Sequence, residues 1–222
     1  MALQFLQSLF SRSHLGVDIG TSSIKAVELV KEGGALRLKN YGFLESYGHG
    51  GALGAALQTN TMQIVDSEAA EMLRILMRRM KVSTGKATAS IPNFSGFSTL
   101  LELPPMNDAE LASAIGFQAR EHVPLPLEDV LLDSTPVEIA TADGVSKRRV
   151  LLIAIPLDVV ENYKRIFKKA GLVLDAIELD STALARAVAG GDPTPTIIMD
   201  VGARATVVSI VKGASVYMTF NS

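Results

Sequence analysis

Twice in this chain an aspartate and a glycine, two residues apart, close an apolar strand: Leu15-Gly16-Val17-Asp18-Ile19-Gly20 and Ile197-Ile198-Met199-Asp200-Val201-Gly202. Glycine at a hairpin tip admits positive φ and lets backbone N–H groups approach a phosphate with no Cβ in the way. After the first copy, Thr21, Ser22 and Ser23 add hydroxyl donors, and Lys25 on the outgoing strand can bring a cation to the same phosphates. Asp18 and Asp200 are hard oxygen ligands of the kind Mg²⁺ accepts, usually through water. The chemistry expected of such a pair is the capture of a nucleotide triphosphate with its metal. A single copy reads as an ordinary hairpin with an Asx-type turn, so the weight rests on the repetition with matching flanks.

The elements that must carry these corners follow from periodicity and punctuation. Leu15–Ile19, Ile24–Val30 and Ala35–Leu44 read as an antiparallel meander with its second turn at Glu32-Gly33-Gly34. The stretch Gly48–Gly54 opens no strand–turn–helix unit and reads as connection. Asp66 or Ser67 can cap a helix to about Met80, with Met72, Leu73, Ile75, Leu76 and Met80 inward and Arg74, Arg78, Arg79 and Lys81 outward. A strand Ala87–Ile91 precedes the turn Pro92-Asn93, and a strand Thr99–Leu103 opens a new unit. Asn107 and Glu110 have capping-box spacing for a helix Asp108–His122. Pro124 and Pro126 force Val123–Leu127 to be extended.

Strands near Val130–Ile139 and Arg149–Ile155 flank a turn at Asp143-Gly144, and the unbroken apolarity of the second implies burial on both faces. Pro156 opens a helix with Leu157, Val160, Tyr163 and Phe167 inward and Gly171 as its stop. A strand Leu174–Leu179 and a helix Ser181–Ala189 lead to the linker Gly190-Gly191-Asp192-Pro193-Thr194-Pro195, which is expected to set the second hairpin apart from everything before it.

Composition narrows the function classes. The 222 residues are 48% apolar and 20% charged, an ordinary balance for a folded α/β chain with a sizeable core. A net charge of −2 gives no field for nucleic acid, and the absence of cysteine excludes disulfides and thiolate zinc sites. His14, His49 and His122 are scattered and suggest no metal cluster. Met1–Ser13 places Leu3, Phe5, Leu6, Leu9 and Phe10 at near-helical spacing before Arg12. This reads as a packing arm in preference to a membrane-surface helix, because one basic residue attracts anionic lipid weakly.

The order of these elements resembles the actin-like (RNase H-like) ATPase superfamily and, within it, the PilM family, FtsA-like cytoplasmic components of type IV pilus assembly. The resemblance runs from about Leu15 to Phe220 and is carried by four stretches: Leu15 to Lys25, Glu102-Leu103-Pro104-Pro105-Met106, Glu121 to Val130 with its Pro-Leu-Pro-Leu-Glu run, and Asp200 to Thr206. It implies an α/β fold of α+β subdomains with an FtsA-like insertion. Residues 1–13 would be an arm, 14–93 with 175–191 subdomain 1A, 94–174 the inserted subdomain 1C, and 195–222 the start of subdomain 2A.

Family members continue into a Gly-Gly motif and a further subdomain that hold the adenosine. The chain is therefore expected to be truncated before its last subdomain and to bind ATP weakly or not at all by itself. The resemblance further implies ATP with Mg²⁺ in the full-length protein. Asp18 and Asp200 would face the metal, Gly20, Thr21, Ser22, Ser23 and Lys25 the first phosphate loop, and Gly202, Ala203 and Thr206 the second.

Glu178 and Asp180 are the candidates to orient a water in relatives with hydrolytic activity, and equally helix-capping groups. The implied partner is the N-terminal cytosolic tail of PilN, in a groove between the first subdomain and the inserted one, with other pilus-platform proteins also open and membrane contact indirect. The implied role is a cytoplasmic scaffold, peripheral to the inner membrane, with a slow ATPase at most. An FtsA-like cell-division tether, a sugar or acetate kinase, and a module with no ligand remain the alternatives.

Overall fold

The structure, a computed structural model, describes residues 13–20, 22–45, 66–142, 145–203 and 205–222. Thr21, the arm before Ser13, the stretch Gly48–Gly54 and the Asp143-Gly144 turn lie outside the described residues. Two compact units emerge, one from the residues up to Ile91 with Glu161–Glu178, the other from Pro92–Val160 with Leu179–Ser222.

The first unit is built on a sheet ordered β3-β2-β1-β4-β8. Its meander comprises β1 (Ser13–Ile19), β2 (Ser23–Glu32) and β3 (Ala35–Glu45), and β4 (Lys86–Ile91) lies parallel to β1. The two edges are β3 and β8 (Val173–Leu179). Strict alternation buries Leu15, Val17, Ile19, Ile24, Ala26, Ala87, Ala89 and Ile91 on one face.

Helix α1 (Asp66–Met80) meets that face with Met72, Leu73, Leu76, Met77 and Met80, each contributing roughly 1.5–3 kcal/mol of burial. Acidic residues in its first turn and Arg78 and Arg79 in its last complement the helix dipole. Gly42 makes the close approach possible. A Cβ there would sit 3.0 Å from Leu76 Cδ1 and Met80 Cγ.

A charged residue lies inside this unit. Glu28 on β2 is fully buried, and its Oε1 accepts from Lys39 Nζ at 3.2 Å, from Ser83 N–H at 3.1 Å and from the Ser83 hydroxyl. A β-bulge between Glu28 and Leu29 leaves Lys39 unpaired in the β2–β3 register, which aims its side chain at the carboxylate. Burial works to raise the Glu28 pKa, but the hydrogen bonds from Ser83 and the Lys39 ammonium together hold it below the ordinary carboxylate value.

The second unit contains two sheets. In the first, β5 (Phe97–Leu103) and β6 (Val130–Ala142) both pair antiparallel with the central β7 (Val145–Pro156). Helix α2 (Asp108–His122) covers one face, where Leu101, Leu103, Leu111, Ala119, Val123, Val130, Val150, Leu152 and Ala154 form a core. Its capping box is complete: Asn107 Oδ1 accepts from the N–H groups of Ala109 and Glu110 at 3.0 Å, and Glu110 Oε2 accepts from Asn107 N–H at 2.9 Å. The opposite face of β7 carries Leu151 into a second core with Ala185, Val211 and Val216. Both faces of β7 are therefore covered, as its apolar run requires.

That second core joins the other sheet, β9 (Thr196–Val201), β10 (Thr206–Lys212) and β11 (Ser215–Asn221), ordered β11-β10-β9, to the short helix α4 (Asp180–Leu184) and the π-helical turn Ala185–Ala189. The expectation that Gly190–Pro195 sets the second hairpin apart is thus corrected. The linker folds back, with Gly213 N–H donating to Asp192 O at 2.9 Å and Gly190 N–H to Ala185 O at 3.2 Å. Helix α3 (Leu157–Lys169) spans the boundary between the units. It buries Val160, Tyr163, Ile166 and Phe167, but Leu157, expected inward, is 39% exposed because it opens the helix one turn before the covered stripe.

Candidate functional site

The first corner is closed by its backbone. Gly20 N–H donates to Ser23 O at 2.9 Å, which turns the chain from β1 into β2 with Ile19 opposite Ile24. Asp18 projects from the face of β1 that α1 leaves uncovered, since Val17 and Ile19 occupy the buried one. The antiparallel register sets Lys25 directly across from Asp18, and the parallel register sets Ser90 beside it. Lys25 Nζ reaches Asp18 Oδ2 at 3.2 Å and the Ser90 hydroxyl donates to Oδ1 at 3.2 Å, so both carboxylate oxygens are held. Lys25 thus meets the acid in place of pointing away from it. Ser90 was missed by sequence reasoning. The alternation of Ala87, Ala89 and Ile91 puts it on the open face of β4, but only the parallel pairing with β1 brings it to Asp18.

The second corner repeats the closure. Gly202 N–H donates to Ala205 O at 2.9 Å, between β9 and β10. Asp200 is exposed and lies opposite Val207 in the register, and among the described residues it forms no ion pair. Thr206 exchanges backbone hydrogen bonds with Ser222 at 3.0 Å, and Ala203 is exposed at the bend.

Positive φ, expected at both corner glycines, occurs at neither; among the described residues it is found at Gly33, Gly34, Gly171, Gly190 and Gly213, and at Lys81. Space excludes a side chain at Gly202 and leaves little room for one at Gly20. A Cβ on Gly202 would stand 2.9 Å from Ala205 O, and one on Gly20 would stand 3.3 Å from Ser23 O.

Asp18 belongs to the first unit and Asp200 to the second. Glu178 ends the first unit near the end of β8, and Asp180 is the first residue of α4 in the second. The helix cap position is taken by Leu179, which makes no side-chain cap, so Asp180 contributes its charge to the first turn instead. Among the described residues no three acidic or histidine side chains form a metal-ligand group, so a metal at either corner would rely on one carboxylate and water. No described helix is long and apolar enough to cross a membrane.

Residues 16–220 match the family model described as type IV pilus assembly protein PilM. The chain belongs to this family. Among solved structures it is similar to a chain of the PilM–PilN type IV pilus biogenesis complex, with 21% identity and a TM-score of 0.75 over 94% of this chain and 60% of that one. It therefore spans about three fifths of that chain's length.

Two further likenesses are more distant. One is to the cytoplasmic domain of EpsL, an inner-membrane component of the type II secretion system of Vibrio cholerae, with 10% identity and a TM-score of 0.57 over 95% of this chain and 71% of that one. The other is to the ethanolamine utilization protein EutJ from Carboxydothermus hydrogenoformans, with 15% identity and a TM-score of 0.50 over 95% and 51%. Identities this low establish fold alone, and the fold is of the actin-like ATPase class.

Proposed function

We propose that this protein is a cytoplasmic actin-like scaffold of the type IV pilus inner-membrane platform, which binds Mg·ATP in its full-length form and docks the N-terminal cytosolic tail of PilN. The family match and the likeness to a chain of a PilM–PilN complex support the pilus half of this reading. The nucleotide half is carried by one observation, the identical 2.9 Å closure of the two corners by Gly20 and Gly202. Backbone turned in the same way twice, each time just after an acid, suits one ligand with phosphates and a metal.

On this reading Asp18 and Asp200 hold Mg²⁺ through water. Gly20, Thr21, Ser22 and Ser23 line one phosphate loop, and Gly202, Ala203 and Thr206 line the other. Asp18, which now holds Lys25 at 3.2 Å, would face the hydrated metal, and Lys25 would supply its ammonium to a phosphate. Glu178 and Asp180 are the groups proposed to orient a water in a slow hydrolysis, and nucleotide acts as a conformational ligand more than a fuel. The subdomains proposed are 14–93 with 175–191 for 1A, 94–174 for 1C, and 195–222 for the start of 2A.

Calorimetry of the full-length protein with a synthetic PilN tail tests the partner, with micromolar or tighter binding expected. A folded protein that gives no heat with the peptide overturns it. Titration of the same protein with a fluorescent ATP analogue tests the other half, with saturable binding that Mg²⁺ strengthens as the expected result, and no saturable binding as the result that overturns it.

A further inference from the structure

Lys25 and Ser90 each hold one oxygen of the Asp18 carboxylate at 3.2 Å, but they constrain it unequally. The Lys25 side chain is 62% exposed, and an ion pair between a flexible, hydrated ammonium and a part-exposed acid fixes little. Ser90 stands on β4, an interior strand of its sheet, between Ala89 and Ile91, which are both fully buried. Its hydroxyl hangs by a single side-chain torsion from backbone that strands on both sides hold in place. Of the two partners, Ser90 is therefore the rigid one.

Asp18 does not need this bond to compensate burial. Its side chain is 38% exposed, so water can satisfy either oxygen. What the Ser90 hydroxyl adds is direction, because a donor fixed on the neighbouring strand sets the plane of the carboxylate. Each carboxylate oxygen accepts two hydrogen bonds, so Oδ1 and Oδ2 both keep an acceptor position for water beside Ser90 and Lys25. A serine also donates without adding charge, which leaves the charge of the acid to a cation.

The second corner has no counterpart among the described residues. There β9 is an edge of its sheet, so Asp200 has Val207 across from it on β10 and no described strand on its other side. The first corner alone carries an acid that a fixed donor orients.

We propose that Ser90 is a positioning residue for the metal-facing acid: its hydroxyl fixes the plane of the Asp18 carboxylate for the hydrated Mg²⁺ of the bound nucleotide. Hydrogen-bond partners that orient a metal-facing carboxylate commonly affect metal affinity by about 10–100-fold when removed. This inference rests on the Mg·ATP reading of the corners and adds the residue that orients one of them.

Titration of Mg²⁺ into the full-length protein, held with a fluorescent ATP analogue at fixed concentration, tests it. Ser90→Ala is expected to raise the Mg²⁺ concentration at half effect by about tenfold, and Ser90→Thr, which keeps the hydroxyl, is expected to restore it. Because Ser90 acts through Asp18, adding Ser90→Ala to Asp18→Asn is expected to cost nothing further. Cooperative melting of each variant shows that it is folded. Wild-type Mg²⁺ dependence in Ser90→Ala would overturn the inference alone, as would an equal loss of nucleotide affinity with and without Mg²⁺, a Ser90→Thr variant as impaired as Ser90→Ala, or full additivity with Asp18→Asn. A wild-type protein that binds no Mg²⁺-nucleotide would instead overturn the reading of the corners, and this inference with it.

Discussion

The two corners share a backbone and differ in everything around it. At the first, the acid stands on the face of its sheet away from the core, and Lys25 and Ser90 occupy both of its oxygens. At the second, Asp200 shares a face with Ile198 and Val207, at the margin of the core that Val211 and Val216 fill, and stands exposed without an ion pair among the described residues. A repeated turn therefore fixes where a carboxylate leaves the chain, and the neighbouring strands decide what it meets. The units differ likewise in their β-bulges. In β2–β3 the extra residue, Lys39, reaches buried Glu28, whereas in β10–β11 the irregularity at Ile210/Val211 leaves Tyr217 out of register beneath Arg149, whose guanidinium carbon is 5.9 Å from the ring centroid.

The largest expected effect lies at the first bulge. Glu28→Ala removes a carboxylate with three donors and leaves a buried gap, at a cost of about 3 kcal/mol in urea unfolding. Its pH dependence has a definite sign. Because the folded Glu28 pKa is lowered, the folded chain binds fewer protons, so this contribution is complete above the unfolded value of 4.5 and is lost as the pH falls through the folded one. Glu28→Gln is expected to flatten that acid limb, and an unchanged limb would show that the carboxylate is not what holds Ser83.

Next comes the contrast between the corner glycines. Gly202→Ala drives a Cβ to 2.9 Å from Ala205 O and should cost about 1–3 kcal/mol, while Gly20→Ala, at 3.3 Å, should cost less than about 1 kcal/mol. Thermal melts that reversed this order would contradict a steric role for the two glycines. The Arg149–Tyr217 contact is smaller, and Tyr217→Leu is expected to lose about 0.5–1 kcal/mol, read by the same melts. Ser90→Ala should be smallest, about 0.5 kcal/mol in the melt, because Asp18 is part-exposed and keeps Lys25.

Much of this was legible in the chain. Period-2 alternation gave the meander, the Asn107–Glu110 spacing gave the cap of α2, and the unbroken run of β7 gave its burial on both faces. What escaped depends on pairing between distant residues. Glu28 reads as a solvated strand residue until a bulge and the loop after α1 close over it. Ser90 gains its place only from the parallel register of β1 and β4. Turn statistics favour φ > 0 at the glycine corners, whereas what limits a side chain there is close contact with the carbonyl three residues on. The linker reads as a spacer in the sequence because composition does not report the direction in which the chain returns.

The central claim, that both acid–glycine corners serve one Mg·ATP, is tested most directly by equilibrium nucleotide titration of the full-length protein with Asp18→Asn, Asp200→Asn and the pair together. Each single change is expected to lower Mg²⁺-dependent affinity by about 10–100-fold, and the double variant by much less than the product of the two. Wild-type affinity in either single variant would contradict a shared ligand.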